Sequence, residues 1–257
     1  DKKGQVTIFI IIAIVIVMAV VGYFFISPRI ATTESSGTFN EENPQAFMQA
    51  CLQEQLVETI QKISLQGGSV VPTNYILYQD NPVAYLCYTS EDYNTCVLQQ
   101  PLLKQHVESE IENNLAGDVS DCFSSLEENY LKKNYEVSLT SGEMNVELLP
   151  NRITLSMGHI LTATKGSAKR FDGFSIAANN NLYELVGIAN SIVEWESNYG
   201  DSETTLYTST YSKFMVEKNL GQDESKIYVL TDINTGDVFQ FASRSLPLPS
   251  GFGSVNV

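Results

Sequence analysis

Histidine, tryptophan and positive charge are scarce in this chain. Its 257 residues hold two histidines, one tryptophan, and 15 lysines and arginines against 30 aspartates and glutamates, a formal net charge of −15. Any serine–histidine–aspartate triad would have to use His106 or His159. His106 falls on the polar side of a helical pattern, His159 follows Gly158 at a strand junction, and no Gly-x-Ser-x-Gly elbow exists to present a nucleophile. A phosphate-cradling P-loop, a His-Glu-x-x-His helix and a dinucleotide fingerprint are equally missing. Thr162-x-x-Lys165 and Thr210-x-x-Lys213 imitate hydroxyl–lysine pairs, a spacing that arises often by accident and still requires a pocket and an oxyanion hole. Asp232 to Asp237 imitates a calcium loop, but Gly236 comes at its fifth position and no glutamate follows at the twelfth; a tight hairpin turn needs the same Asn234 and Gly236. Gly251 to Ser254 precedes no helix and reads as tail. With no Cys-x-x-Cys and no histidine near a cysteine, zinc is not expected. The expectation is a chain that is not an enzyme, with no catalytic residue, cofactor or metal.

The shortage of cations also bears on partners. Beyond residue 29 there remain 12 basic and 29 acidic side chains, a net −17. Such an excess keeps a surface soluble and repels nucleic acid and anionic headgroups, so no nucleic-acid partner is expected. No Asn-x-Ser/Thr sequon occurs.

What the chain does have is a long apolar run. From Ile8 to Ile26 every residue is apolar, Gly or Tyr, and no charge occurs between Lys3 and Arg29. A helix over residues 5–27 is expected, about 34 Å long and able to cross a bilayer core of about 30 Å. Lys2 and Lys3 put its amino end in the cytoplasm and everything after Arg29 outside. Tyr23, Phe24 and Phe25 suit the outer interface, and Ser27-Pro28 ends or kinks the helix. A cleaved secretory signal would show a shorter core and a small-residue cleavage site, which is absent. A plain membrane anchor is the simpler alternative.

The string Lys2-Lys3-Gly4-Gln5, placed directly before this run, resembles the class III signal of archaeal type IV pilin-like surface proteins. The resemblance implies cleavage after Gly4 by a prepilin peptidase, leaving Gln5 as the first mature residue and the hydrophobic helix on the mature protein. Phe9 occupies the fifth mature position, where bacterial pilins usually carry glutamate, which fits the archaeal branch. A secretion ATPase and its membrane platform would then extract the helix from the membrane and pack it with copies of itself into a filament core. Ile8, Phe9, Ile12, Val15, Ala19 and Gly22 are the packing candidates, the last two permitting close approach. The order of later features is similar to that of surface proteins from small-genome archaea: a cysteine-bearing helix ending in Gln66-Gly67-Gly68, a second cysteine helix, and a closing strand Phe239-Gln240-Phe241-Ala242.

Cys51, Cys87, Cys96 and Cys122 are even in number, and an oxidising compartment would pair them in one of three ways. Cys87 and Cys96 flank a turn-like segment between two strand-like runs. Cys51 lies on a helical pattern with Met48, Leu52, Leu56, Ile60 and Ile63, opened by Asn43-Pro44 and closed by Gly67. Cys122 shares a helix face with Val119, Phe123, Leu126 and Tyr130. The pattern favours Cys51–Cys122 between helices and Cys87–Cys96 across a hairpin.

Leu103, Val107, Ile111 and Leu115 mark a further helical stretch after Pro101. Three alternating runs, 135–139, 144–148 and 153–157, separated by Ser141-Gly142 and Pro150-Asn151, predict a meander. A helix is expected over Asn180 to Tyr199, its inward face extended by Trp195, and a hairpin from Lys226–Thr231 and Asp237–Ala242. The tail from Leu246 is rich in proline and glycine.

The resulting expectation is an α+β chain: residues 1–4 a class III leader-like remnant, 5–27 a long hydrophobic transmembrane or filament-core helix, 28–43 a linker, and 44–257 a disulfide-stapled extracellular domain with helices and an antiparallel sheet. The function expected from the resemblance is that of a structural subunit of a type IV pilus-like surface filament, a helical homo-oligomer whose outer domains are adhesive. A membrane-anchored surface binding protein that never polymerises, or a minor pilin, is the alternative.

Overall fold

The computed structural model describes residues 39–221 and 223–247. The chain divides into two compact units between Phe39 and Asn40, and the described elements belong to the second. The α+β class holds, but the expected opening element is corrected: the first described helix begins at Pro44. No described helix is long and apolar enough to cross a membrane. The longest described helices are amphipathic, interleaving their apolar stripes with glutamate, lysine and glutamine. Residues 5–27, with the expected hydrophobic helix, lie outside the described residues.

Helix α1 spans Pro44–Leu65. Asn43 caps it, accepting the Ala46 N–H at 3.1 Å, and Pro44 supplies a preset φ in the first turn. Past Leu65 the chain turns through Gly67 (φ 72°) and Gly68 (φ 92°), whose N–H returns to the Ile63 carbonyl. A Cβ on Gly67 would stand 2.8 Å from the Cβ of Ala84, so glycine also lets the helix end abut a strand. Helix α2 spans Leu103–Lys132. The stretches expected around Val107 and Cys122 form this one helix, about 45 Å long, because Gly117 sits on an exposed face and interrupts nothing. Cys51 and Cys122 join α1 to α2, with Cα atoms 6.1 Å apart. Residues 40–43, read from sequence as linker, are tied to α2: the Tyr130 hydroxyl donates to the Glu41 carbonyl at 2.9 Å, and Lys133 pairs with Glu41 at 3.4 Å.

Strands β1 (Tyr75–Tyr78), β2 (Asn81–Tyr88) and β3 (Val97–Leu98) lie between the two helices in sequence. After α2 come β4 (Glu136–Thr140), β5 (Met144–Leu149), β6 (Arg152–Lys165) and β7 (Ser167–Asn179). These last four make an antiparallel sheet, but Ser141-Gly142 does not reverse the chain. Strands β4 and β5 pair end to end along one edge of β6, while β7, which the sequence did not announce, pairs along the other. At the junction the Gly158 N–H donates to the Glu143 carbonyl at 2.8 Å, and a Cβ on Gly142 would lie 2.0 Å from the Gly158 oxygen. On the β7 side the register shifts between Met157 and Ile160, so Gly158 and His159 oppose Gly173 (φ 71°) in a bulge.

Helix α3 (Leu182–Tyr199), short helix α4 (Thr204–Thr210) and strands β8 (Phe214–Leu220), β9 (Lys226–Asp232) and β10 (Val238–Arg244) complete the unit. The second sheet runs β1-β2-β10-β9-β8, with β3 also on β2. The expected β9–β10 hairpin is present, but β10 also pairs parallel to β2, making the sheet mixed. Its central strands are buried along nearly their whole length, as the near-continuous apolar runs Val83–Cys87 and Phe239–Ala242 require. Cys87 and Cys96 bridge β2 to the turn before β3, with Cα atoms 5.3 Å apart. The two disulfides are the pairs the sequence pattern favoured.

Two glycines give contrasting expectations. Gly142→Ala drives a methyl into the Gly158 backbone and is expected to destabilise the unit by about 1–3 kcal/mol. Gly187→Ala on the exposed face of α3, where a Cβ meets nothing within 4 Å, is expected to stabilise it by about 0.5–1 kcal/mol. Denaturant midpoints of the two variants check the pair.

Candidate functional site

The most polar part of the interior is gathered around Glu196, one helical turn beyond the apolar residues Ile192 and Val193 of α3. Its carboxylate is completely buried. Lys226 at the start of β9 donates to its two oxygens at 3.1 and 2.9 Å. The Ser202 N–H donates at 3.1 Å, the Ser243 hydroxyl of β10 at 3.0 Å, and the Tyr228 hydroxyl of β9 completes the shell. The backbone carbonyl of Glu196 accepts from Ser245, whose hydroxyl in turn accepts the Cys96 N–H at 3.0 Å. Helix, two strands and the disulfide loop thus converge on one residue.

Burial, reinforced by the neighbouring Glu196 charge, pushes the Tyr228 phenol far above its ordinary value, so it stays a donor. Lys226 also donates to the Gly200 carbonyl and stands 3.2 Å from Asp201. Burial opposes ionisation of Asp201, but Lys218 and Lys226 outweigh it and hold its carboxyl below the usual range. With its ammonium shared among a carboxylate, a carbonyl and a second acid, Lys226 is committed to structure. The arrangement clamps α3 to the mixed sheet. A surface cleft of about 620 Å³ reaches Lys226 between Asp92–Tyr93, Gly200–Asp201 and Glu224.

The residues weighed for catalysis from sequence are dispersed. His106 meets Ser69, Nε2 to Oγ at 2.8 Å, while Glu110 accepts the Val70 N–H at 2.7 Å. Among the described residues no carboxylate bonds to either histidine. His159 stacks on Phe123 with ring centroids 4.1 Å apart, and its buried Nδ1 has no partner among the described residues. Thr162 and Lys165 point to opposite faces of β6, and Lys165 donates to the Lys133 carbonyl. Lys213 lies over the Phe214 ring. Asp232 accepts the N–H groups of Asn234 and Thr235, the turn expected there. No metal-binding cluster of histidine, cysteine, aspartate and glutamate occurs among the described residues.

A smaller cleft of about 320 Å³ lies between α1, the end of β7 and the β9–β10 turn. Asp237 organises its rim by accepting from Asn180 Nδ2, the Asn181 N–H and the Thr235 hydroxyl at 2.8–2.9 Å, which fixes the start of α3 against the turn. Gln240 of β10 ties α1 to the sheet beside it, donating to the Leu65 carbonyl at 2.6 Å.

No protein-family model matches the chain, and no curated protein and no solved structure shows significant similarity to it. Lys2, Lys3, Gly4 and Gln5, and the packing candidates Ile8, Phe9, Ile12, Val15, Ala19 and Gly22, lie outside the described residues. The four cysteines lie in two separate places. Sequence reasoning missed Glu196. The signal was its position three and four residues past Val193 and Ile192; Trp195, expected to extend that face, is instead half exposed and rests against Tyr199.

Lys226→Met leaves the Glu196 carboxylate buried without its cation. It is expected to cost about 3–5 kcal/mol, read as a lowered denaturant midpoint, with part recovered by adding Glu196→Gln. For His159, burial lowers the folded-state pKa below its ordinary value near 6.5. The unfolded chain therefore binds this proton more readily, so stability is full above about pH 6.5 and declines as pH falls toward the folded value. His159→Phe, which keeps the stack, is expected to flatten that part of the stability–pH curve measured between about pH 8 and pH 5.

Proposed function

We propose that this protein is a structural subunit of a type IV pilus-like filament on the cell surface, and that its role is assembly and surface contact rather than catalysis. The observation that carries the reading is the order Lys2-Lys3-Gly4-Gln5 immediately before an apolar run reaching Ile26. Basic residues and a glycine supply a processing site, and an uninterrupted apolar segment supplies something that must be buried in lipid or against copies of itself. The membrane holds the subunit before assembly, and a prepilin peptidase, a secretion ATPase and its membrane platform are the partners. The two disulfides support an extracellular address, because such bonds persist in oxidising compartments. The strongly acidic composition suits a solvated outer coat.

Mass spectrometry of the native protein is expected to find Gln5 as the mature amino terminus, and electron microscopy of sheared cell-surface material to find fibres containing the chain. Ile12→Asp is expected to abolish the fibres while leaving the folded unit and its disulfides intact. Fibres that persist in this variant, or a native protein that still carries Lys2 to Gly4, would count against the proposal.

A further inference from the structure

We propose that the cleft between α1, the end of β7 and the β9–β10 turn binds a neutral saccharide, one sugar ring deep. Its size, about 320 Å³, is at the small end of the roughly 300–1,000 Å³ typical of ligand pockets. Its lining contains no lysine, arginine or histidine, so nothing there compensates a phosphate or carboxylate. Its single acid, Asp237, already accepts from Asn180, Asn181 and Thr235, which removes the reason for a cation to enter.

What remains unspent is neutral hydrogen-bonding capacity. Gln61 on α1 and Asn179 at the end of β7 are exposed amides whose side chains make no hydrogen bond among the described residues. Each offers a donor and an acceptor side by side, the pairing that adjacent sugar hydroxyls complement. Ser64 is more than nine-tenths buried (6 % exposed), lines the same cleft, and its hydroxyl likewise has no partner among the described residues. That hydroxyl still reaches the solvent of the cleft, so a ligand hydroxyl would take the place of water there. Val57, half exposed on the turn of α1 before Gln61, with Ile60 and Val238, adds an apolar wall for the C–H face of a ring.

The walls are fixed before any ligand arrives. Asp237 locks the turn to the start of α3, and Gln240 locks α1 to β10, so little ordering accompanies binding. The inference gives the adhesive outer surface of the proposed filament a ligand class, and so rests on that reading for its biological setting. The binding itself is independent of assembly.

The test uses the full chain, solubilised in detergent and unpolymerised, titrated with glucose, galactose, mannose and N-acetylglucosamine, with inorganic phosphate as the anionic control. Saturation-transfer NMR and calorimetry are expected to show at least one sugar binding with Kd on the order of 1 mM, and no phosphate binding. The double variant Gln61→Ala/Asn179→Ala is expected to weaken that sugar at least about tenfold with an unchanged thermal midpoint. Ser64→Ala, the mildest change available, is expected to weaken it about threefold or more. Absence of saturation for every sugar to about 100 mM, or sugar binding that the double variant leaves unchanged, overturns the inference. Native cells without fibres, or fibres that persist in Ile12→Asp, with sugar binding retained would sink the assembly reading alone, and filaments without sugar binding would sink this one alone.

Discussion

A carboxylate buried away from water must be given back the hydrogen bonds and the counter-charge that water supplied, and much of this fold is arranged to do that for Glu196. Its partners come from residues 202, 226, 228 and 243, which belong to a loop and two strands. Each partner can reach it only if α3 lies at one place on the mixed sheet, so the cluster acts as a register pin. Apolar packing alone tolerates small slides between a helix and a sheet, whereas a charge pair in low dielectric does not. The pin extends outward through Ser245 to Cys96, so the short disulfide hairpin and the start of the tail are held by the same group.

The helical layer is fixed differently. Cys51–Cys122 fastens α1 to α2 across a sequence separation of 71, a span long enough for the covalent link to restrict the unfolded chain substantially. The enclosed segment includes β1, β2 and β3, so the strands that form one edge of the mixed sheet lie within the loop. Strand β10 then inserts between β2 and β9, bringing the last described strand against one enclosed in that loop. This order puts the strand pairing most distant in sequence, the parallel β2–β10 pair, at the centre of the sheet.

The legible parts of the sequence were those governed by local periodicity. The helices at Pro44, Leu103 and Leu182, the cap at Asn43, the turn at Asn234–Gly236 and the pairing of four cysteines follow from spacing within a few turns of chain. Strand β7 was illegible because its first half, Ser167–Asp172, carries lysine, arginine and aspartate on a half-solvated edge, and only Phe174, Ile176 and Ala178 show the alternation. Reading Ser141-Gly142 as a reversal failed for a related reason. Glycine there serves a close approach of two backbones, and close approach leaves no periodic trace. The Glu196 cluster was hidden more deeply, since a glutamate on a helix looks like a solvated residue until strands 30 and 47 positions later supply its partners.

The same division separates the two functional ideas. Assembly is argued from a contiguous string and an apolar run, features that a linear sequence displays completely. The saccharide cleft depends on Gln61, Ser64, Asn179 and Val238, brought together from α1, β7 and β10 across nearly 180 positions. None of these residues is unusual alone. Their significance comes from subtraction: Asp237 and Asn180 are consumed in holding α3, Gln240 in holding α1, and the amides and hydroxyl left over face a common space. A protein of strongly acidic composition thereby presents a recess whose free side chains are neutral, and a neutral polyol is the ligand to which that recess is suited.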